Sequence, residues 1–283
     1  MKKNQNKKIL IIYEYNNKTG GGHFGRSKNI FKNLKKKYPS TSIKNIKNIK
    51  QKILDNYDYY IFDIKNYNNN FYRYASKKKN SILTIENFQN NLSKYNLSIY
   101  DHNSSIKNVR YKGLHFAPID KRLNVKRIVK KDTIFIFLGS VYKKKIQLKK
   151  IVNSIDYTKY KVIISPLNKI SKFKNQKIKF SSKRNWIKYF KNSEYCILSG
   201  GVTLLEALFM KKKCFVIPQN NLENTFSRYL LKKKYIISNE IAHSINFFKN
   251  NSNISKKIKV AKEIDKNGSN KIVTIFEKKI LKK

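Results

Sequence analysis

The stretch that decides the fold is YCILSGGVTLLEALFMKKKCFVIP, residues 195–218. Its two apolar runs, YCILS and CFVIP, are short, continuous and bounded by glycine or proline, which is typical of strands that are buried on both faces of a parallel sheet. The glycines between them lead into a helical pattern that begins near residue 203. The stretch therefore predicts a strand, a glycine loop, a helix and a second strand, with the loop at the carboxyl end of the first strand.

The same alternation continues along the rest of the chain. Apolar runs typical of strands recur at residues 8–13, 57–63, 81–85, 133–140 and 160–165. Helical spacing is found near 30–38, 145–154, 184–192 and 223–232. Strands that alternate with helices predict an α/β fold. We expect two Rossmann-like domains that face each other across a cleft.

A charged segment separates the two series of strands. Residues 116–131, FAPIDKRLNVKRIVKK, contain a proline and show no apolar period, so they are typical of a linker. The sequence thus predicts a first domain over 1–118, a linker over 119–131 and a second domain over 132–283.

The chain is strongly basic, with 64 Lys and Arg against 16 Asp and Glu and a formal net charge of +48. The lysine triplets are spread along the chain, beginning at residues 35, 77, 143, 211 and 232. This spread, with many Asn, Ile, Tyr and Phe, favours the compositional bias of an A/T-rich coding sequence. The alternatives are a nucleic-acid surface and general attraction to anionic substrates or membranes. We expect no dedicated nucleic-acid surface.

Other composition features bear on compartment and cofactors. Cys196 and Cys214 lie in apolar runs and predict small buried side chains in a reducing compartment, with no spacing typical of zinc ligands. The apolar run behind the basic N-terminus is too short for a signal peptide, and no run is long enough to span a membrane. We expect a cytoplasmic monomer without a metal or other cofactor.

The segment TGGGHFGRS, residues 19–27, follows the first strand and opens a helix. Glycines such as Gly21 and Gly22 allow a ligand to approach the backbone, and a helix N-terminus favours negative charge. The helix dipole would also favour a neutral His23 imidazole that acts as a general base. Arg26 would hold either a ligand oxygen or the helix–loop junction. The alternative is a capping loop in which His23 only hydrogen-bonds locally.

Two further glycine loops follow strands of the second half. Gly139 and Ser140 end one strand, a pattern equally typical of a simple turn. Ser199 to Glu206 is the stronger signal, because Gly200 and Gly201 expose N–H groups and Thr203 is placed to cap the helix. Glu206, expected in the first turn, would accept hydrogen bonds from a ribose diol or only complement the helix dipole.

These motifs resemble a known family. GGGHFGRS, FLGS, LSGGVTLLEALFMKKKCFVIP and ENTFSRYL occur in the order and spacing of the nucleotide-sugar hydrolases of pseudaminic acid biosynthesis and of related spore-coat polysaccharide proteins. GLHFAPI (113–119) and IDKNGSNKIV (264–273) are similar to further segments of that family. The family has the glycosyltransferase-B-like fold of the lipid II type of UDP-dependent transferase, and its hydrolases release UDP from a trideoxy-diacetamido-altropyranose.

The resemblance implies a reaction and a set of contacts. His23 would activate a water for attack at the anomeric carbon, with UDP as the leaving group and no metal, since backbone N–H groups stabilise the leaving phosphate. The implied substrate contacts are Gly21, Gly22, Arg26, Gly139, Ser140, Ser199, Gly200, Gly201, Thr203, Leu204, Glu206 and Asn224.

The chain departs from the family pattern at three places. Val141 stands where the family has an acidic residue, Val202 where serine is common, and Asn224-Thr225 where an Asn-Gln pair is usual. The first two departures bear on the choice of sugar, and the third bears on the contact assigned to Asn224. The competing hypotheses are a glycosyltransferase of the same fold and a basic nucleic-acid-binding protein. The sequence shows no exposed apolar patch near the first-domain loops, which favours a small soluble acceptor over a lipid.

Overall fold

The computed structural model describes residues 6–16, 21–64, 74, 77–86, 93–100, 109–124, 129–139, 145–165, 177–182, 184–250 and 258–282. These residues form two compact units. The first contains residues 1–119 and 263–283, and the second contains residues 120–262. Each unit is built around one parallel sheet.

The first unit has a six-stranded sheet in the order β2-β1-β3-β4-β5-β6, and every adjacent pair is parallel. Strands β1 and β3 are almost entirely buried, as their continuous apolar runs require. The strands are β1 (Ile9–Tyr13), β2 (Thr41–Asn45), β3 (Tyr59–Asp63), β4 (Ile82–Ile85), β5 (Tyr95–Ser98) and β6 (Tyr111–Lys112).

The α-helices of this unit that the structure describes from end to end are α1 (Gly22–Lys35), α2 (Gln51–Leu54) and α8 (Gly268–Phe276). Helix α1 buries Ile30 and Leu34, two of the residues whose helical spacing predicted it. Helix α8 packs against α1 and continues into a π-helical turn over Glu277–Leu281.

The second unit has a five-stranded parallel sheet in the order β11-β10-β7-β8-β9. Its strands are β7 (Lys130–Phe137), β8 (Lys161–Ile164), β9 (Ile178–Phe180), β10 (Ser193–Leu198) and β11 (Lys213–Val216). Its helices are α3 (Lys145–Ser154), α4 (Trp186–Asn192), α5 (Val202–Phe209), α6 (Asn221–Lys232) and α7 (Ile241–Lys249). Cys196 and Cys214 are in register on β10 and β11, and both are buried thiols that form no disulfide with any described residue.

The two α/β units confirm the predicted fold class. Their limits differ from the predicted domains in two respects. Strand β7 begins at Lys130, inside the segment read as a linker, and residues 263–283 belong to the first unit rather than to the second. The second difference has a packing cause: a Cβ on Gly268, the first residue of α8, would lie 2.0 Å from the carbonyl oxygen of Ala117. Helix α8 is thus pressed against the end of the first unit's N-terminal segment.

Candidate functional site

In the first unit, His23 is the second residue of α1, which directly follows the glycine loop. Asp63 is the last residue of β3, and β3 lies next to β1 in the sheet. In a parallel sheet the carboxyl ends of neighbouring strands meet at one edge, which is where such folds bind ligands. The topology therefore brings the first turn of α1 to the acidic end of β3.

Asp63 is fully buried and accepts hydrogen bonds from three side chains of α1. His23 Nδ1 lies 2.6 Å from Oδ1 of Asp63, and Arg26 Nε donates to Oδ2 at 2.8 Å. Arg26 also donates from Nη2 to Oδ1, and the Ser27 hydroxyl donates to Oδ2 at 3.0 Å. These contacts fix both the carboxylate and the imidazole.

Electrostatics keep Asp63 ionised. Burial by itself would raise the pKa of its carboxyl, but Arg26 and His23 outweigh that effect and hold the pKa well below its usual range. An ionised carboxylate is an acceptor only, so Nδ1 of His23 must carry the hydrogen that they share. The Arg26 Nη2 atom, 3.2 Å from the same Nδ1, is then a close neighbour rather than a donor to it.

The consequence concerns the other ring nitrogen. With the proton on Nδ1, the neutral imidazole has an unprotonated Nε2, which is the form a general base needs. Within the described part of the chain, no hydrogen bond engages Nε2. The His23 side chain is 18% exposed, so the imidazole is held in place and still in contact with solvent.

The other predicted residues of this loop have different surroundings. Arg26 is buried and hydrogen-bonded to Asp63. Of the two roles considered for Arg26, a ligand contact or the helix–loop junction, this bond fits the junction. Gly21 is the N-cap of α1 and Gly22 its first residue. Gly20 lies outside the described residues.

A second acid lies near Arg26. Glu86 directly follows β4, and its carboxylate accepts hydrogen bonds from the Ile99 N–H group and from the Ser98 hydroxyl at 3.3 Å. Loss of hydration raises the pKa of Glu86, and the charge of Arg26 opposes that shift. Acids at the ends of β3 and β4 thus flank one buried guanidinium.

In the second unit, the structure brings two of the predicted glycine loops together. Gly139, just after β7, has φ +87°, a left-handed conformation that favours glycine. A Cβ placed there would lie 3.4 Å from the hydroxyl oxygen of Ser199, which follows β10. Gly201 is also near this hydroxyl, since its Cβ would lie 3.9 Å from the same oxygen. Ser140 lies outside the described residues.

Helix α5 begins at Val202, one residue after this loop. No side chain of the described residues caps it, and within its first turn the N–H group of Leu204 donates to the carbonyl oxygen of the N-cap residue Gly201 at 3.0 Å. The prediction that Thr203 caps the helix is wrong, because Thr203 is its second residue. Leu204 is fully buried, so only its backbone borders the loop.

Glu206 is the fifth residue of α5, one position past the first turn in which the sequence placed it. It is only 7% exposed, and it accepts a hydrogen bond from the backbone of Asp120. Burial raises the pKa of Glu206 to about 8, and the charge of Asp120 adds to that effect while Arg122 opposes it. Its role as a ribose ligand stays a prediction.

Sequence reasoning did not single out Glu223, in the first turn of α6. Its Oε2 accepts the N–H groups of Gly200 at 3.0 Å and of Gln219 at 2.9 Å, so it connects the loops that follow β10 and β11. Asp63 was likewise seen only as the end of a strand. One signal could have identified both Asp63 and Glu223 as site residues, because each is an acid at the carboxyl edge of a parallel sheet. Asn224, the next residue, is partly exposed.

Among solved structures, the chain is similar to enzymes of the glycosyltransferase-B fold. The glycotransferase of kitacinnamycin aligns with a TM-score of 0.65 at 10% identity, over 97% of this chain and 99% of that one. MurG of Acinetobacter baumannii aligns at 0.60 and 10% identity, over 96% and 99%. The UDP-GlcNAc 2-epimerase of Methanocaldococcus jannaschii, solved with UDP-GlcNAc and UDP, aligns at 0.59 and 14% identity, over 96% and 99%.

Identities this low establish the fold alone, and the chain therefore has the two-domain α/β fold of the glycosyltransferase-B type. No protein-family model matches the chain, and no curated protein matches it. Within the described residues, no helix has the length and apolar character needed to cross a bilayer, and no three His, Cys, Asp or Glu side chains are grouped to hold a metal ion.

Proposed function

We propose that this protein is a nucleotide-sugar hydrolase that releases UDP from a deoxy-diacetamido sugar in the biosynthesis of a pseudaminic-acid-type surface glycan. The observation that carries the proposal is the pairing of His23 Nδ1 with the buried Asp63 carboxylate at 2.6 Å. This pairing selects the imidazole form with a basic Nε2 and fixes the plane of the ring. The fold, the loop resemblance and the similarity to UDP-sugar enzymes support a nucleotide-sugar substrate.

In the proposed reaction, Nε2 of His23 takes a proton from water as its oxygen bonds to the anomeric carbon. The bond between that carbon and the diphosphate oxygen breaks, so that UDP leaves with the bonding electron pair. Asp63 stabilises the imidazolium that forms and stays ionised itself, as its lowered pKa requires. The glycine loops of the second unit, Gly139, Ser199 and Gly201, hold the diphosphate next to the N-terminus of α5.

The test measures UDP release and UDP binding separately. We expect H23A to lower the turnover number at least 100-fold, as is typical for loss of a general base, and to leave UDP affinity within about twofold. D63N should also lower turnover, because an amide at this position donates to Nδ1 and selects the wrong tautomer. Unchanged turnover in H23A would show that the assigned mechanism is wrong.

D63N also removes the charge that Arg26 faces, so its fold must be verified. R26K serves as the matched control, because it keeps a cation beside Asp63 while perturbing the same buried network. If R26K and D63N lose equal stability but only D63N loses turnover and shifts the acidic limb of the pH–rate profile, the effect belongs to the imidazole. An equal loss of turnover in both variants would assign Asp63 a purely structural role.

A glycosyltransferase of the same fold is the second candidate, and one observation favours it. Phe24, adjacent to His23, is 38% exposed, and its ring lies 5.0 Å from that of Tyr13. Tyr15 is 50% exposed. No apolar patch was expected near the first-domain loops, but these exposed aromatic side chains give an acceptor ring a surface to contact. Supplying candidate acceptors with a UDP-sugar distinguishes the two: a transferase forms a glycoside, whereas a hydrolase releases free sugar.

A further inference from the structure

We infer that a cavity at the C-terminal end of α5 binds an aliphatic anion, a molecule with a hydrocarbon chain and one carboxylate or phosphate group. The cavity has a volume of about 410 Å³, and pockets for small ligands typically measure about 300 to 1,000 Å³. It lies in the second unit, where the end of α5, the start of β11, Tyr235 and residues 258–261 border it.

The cavity is separate from the candidate active site. Helix α5 begins at Val202, beside the glycine loop that follows β10, and the cavity contacts Leu208 near the other end of the helix. Lys213 is the first residue of β11, so the cavity lies at the amino edge of the parallel sheet. The loops that bind nucleotides leave the carboxyl edge. The 8 residues of α5 place roughly 12 Å between the two sites.

One part of the cavity lining is apolar. Leu208, Tyr235 and Ala261 are buried, Ile258 is partly exposed, and Val260 is 43% exposed. Among the described residues that line the cavity, the Tyr235 hydroxyl is the only side-chain oxygen that can accept a hydrogen bond. A sugar or a nucleobase carries several donors that such a lining leaves unpaired, whereas a hydrocarbon chain carries none. The lining therefore favours an aliphatic body.

Four lysines complete the lining, and two of them already have partners. Nζ of Lys212 donates to two backbone carbonyl oxygens, and Nζ of Lys213 lies 2.6 Å from Oε1 of Glu194. Lys211 and Lys259 are exposed, and neither side chain is paired with a residue that the structure describes. Two available ammonium groups beside an apolar cavity favour an anionic head group on the ligand.

The backbone at Lys211 is unusual for a lysine. Lys211 is the second residue after α5 and has φ +54°, a left-handed conformation. Glycine is common at this position, and asparagine adopts the conformation more readily than lysine does. An A/T-rich coding sequence favours asparagine as well as lysine, so composition alone does not account for this residue. Energetically costly backbone conformations are often found at functional sites, and here one keeps a cation beside the cavity.

Titration calorimetry with decyl phosphate, below its critical micelle concentration and at about 0.15 M salt to screen distant charges, tests the inference. We expect a single site on the wild type. Decanol and inorganic phosphate should each bind roughly 10-fold more weakly or worse, because decanol lacks the charge and phosphate lacks the chain.

Two double variants locate the site. K211N/K259Q should weaken decyl phosphate binding by roughly 10-fold or more, the scale for losing hydrogen bonds between charged groups. Asparagine suits the left-handed conformation at position 211, so this variant should fold, and thermal unfolding verifies it. K149Q/K150Q is the matched control, since it removes the same charge from exposed lysines of α3. Its affinity should stay within about twofold of the wild type.

Three results would overturn the inference. Equal weakening in both double variants, or several equivalent sites on the wild type, would assign the binding to general attraction by the basic surface. Decanol that binds as tightly as decyl phosphate would show that the lysines take no part. Cosedimentation with phosphatidylcholine vesicles that contain phosphatidylglycerol distinguishes a bilayer from a single molecule. If K211N/K259Q loses vesicle binding but binds decyl phosphate like the wild type, these lysines face a membrane and the inference is wrong.

Discussion

His23 and Asp63 lie 40 positions apart in the chain, and each obtains its chemical state from the other. Asp63 stays ionised without solvent because Arg26 and His23 face it, and His23 carries its proton on Nδ1 because Asp63 is ionised. Glu206, also buried, has no such pairing: Arg122 lies near it but is itself bonded to Asp120 at 2.6 Å. The two buried acids therefore have opposite pKa shifts.

This difference gives Glu206 a measurable effect on stability. Its folded pKa of about 8 lies above the ordinary value of 4.5, so between these values the unfolded chain releases a proton that the folded chain retains. Raising the pH from about 4.5 to 8 should therefore destabilise the wild type relative to E206Q by roughly 2 to 5 kcal/mol. Urea unfolding at several pH values measures this. Parallel stability curves for the two proteins would show that Glu206 titrates normally.

At the scale of elements, two glycines at the starts of helices have opposite surroundings. Gly25, in the first turns of α1, has no atom of the described residues within 4 Å of the position of a Cβ. Gly268 begins α8, and its Cβ would collide with the carbonyl of Ala117. Gly25 belongs to GGGHFGRS, Gly268 to IDKNGSNKIV and Ala117 to GLHFAPI. All three segments carry the family resemblance. The last two contact each other, and the first leaves open space at Gly25.

Substituting alanine for Gly25 and for Gly268 distinguishes the glycine with open space around it from the glycine in close packing. G25A should stabilise the protein by about 0.5 to 1 kcal/mol, because alanine loses less conformational entropy in a helix. G268A should destabilise it by roughly 1 to 3 kcal/mol through overpacking. Thermal unfolding of both variants is the measurement. If the space next to Gly25 receives substrate, G25A should also raise KM despite its added stability, and an unchanged KM would show that the space has no part in binding.

The periodicity of the sequence predicted most of these elements, and the reasons for its failures are specific. The runs 8–13 and 214–218 became β1 and β11 because a strand buried on both faces is apolar throughout. Strand β2, TSIKN, lies at the edge of its sheet and is half-exposed, so it lacks such a run and was not predicted. The helix at 145–154 was predicted with its observed limits. In the candidate site, the glycine loops were found from local pattern, but Asp63 and Glu223 were not.

At the scale of the whole molecule, a net charge of +48 acts on stability through self-repulsion. Asp63 is a buried acid with a lowered pKa in a chain in which lysines and arginines outnumber acidic residues by 64 to 16. The repulsion between those lysines has a range of about 10 Å at 0.1 M salt and shortens as salt is added.

We therefore expect the unfolding temperature to rise as NaCl increases from about 20 to 300 mM, since screening relieves repulsion more in the compact state. Differential scanning fluorimetry measures this, and sucrose at equal osmolality controls for nonspecific solute effects. The same salt series should weaken UDP binding, because the basic surface attracts the diphosphate over a distance. A falling unfolding temperature would show that exposed ion pairs outweigh repulsion.

The sequence by itself determined the two α/β units, the position of the glycine loops at strand ends, and His23 as a candidate base, because these follow from local pattern and strand order. Only the tertiary structure decided which acids serve those loops. Parallel strands distant in the chain end side by side, so Asp63 reaches His23 and Glu223 reaches Gly200. The tertiary structure also decided that Glu206 is buried and that the last helix joins the first unit. Burial and packing depend on neighbours that sequence order does not reveal.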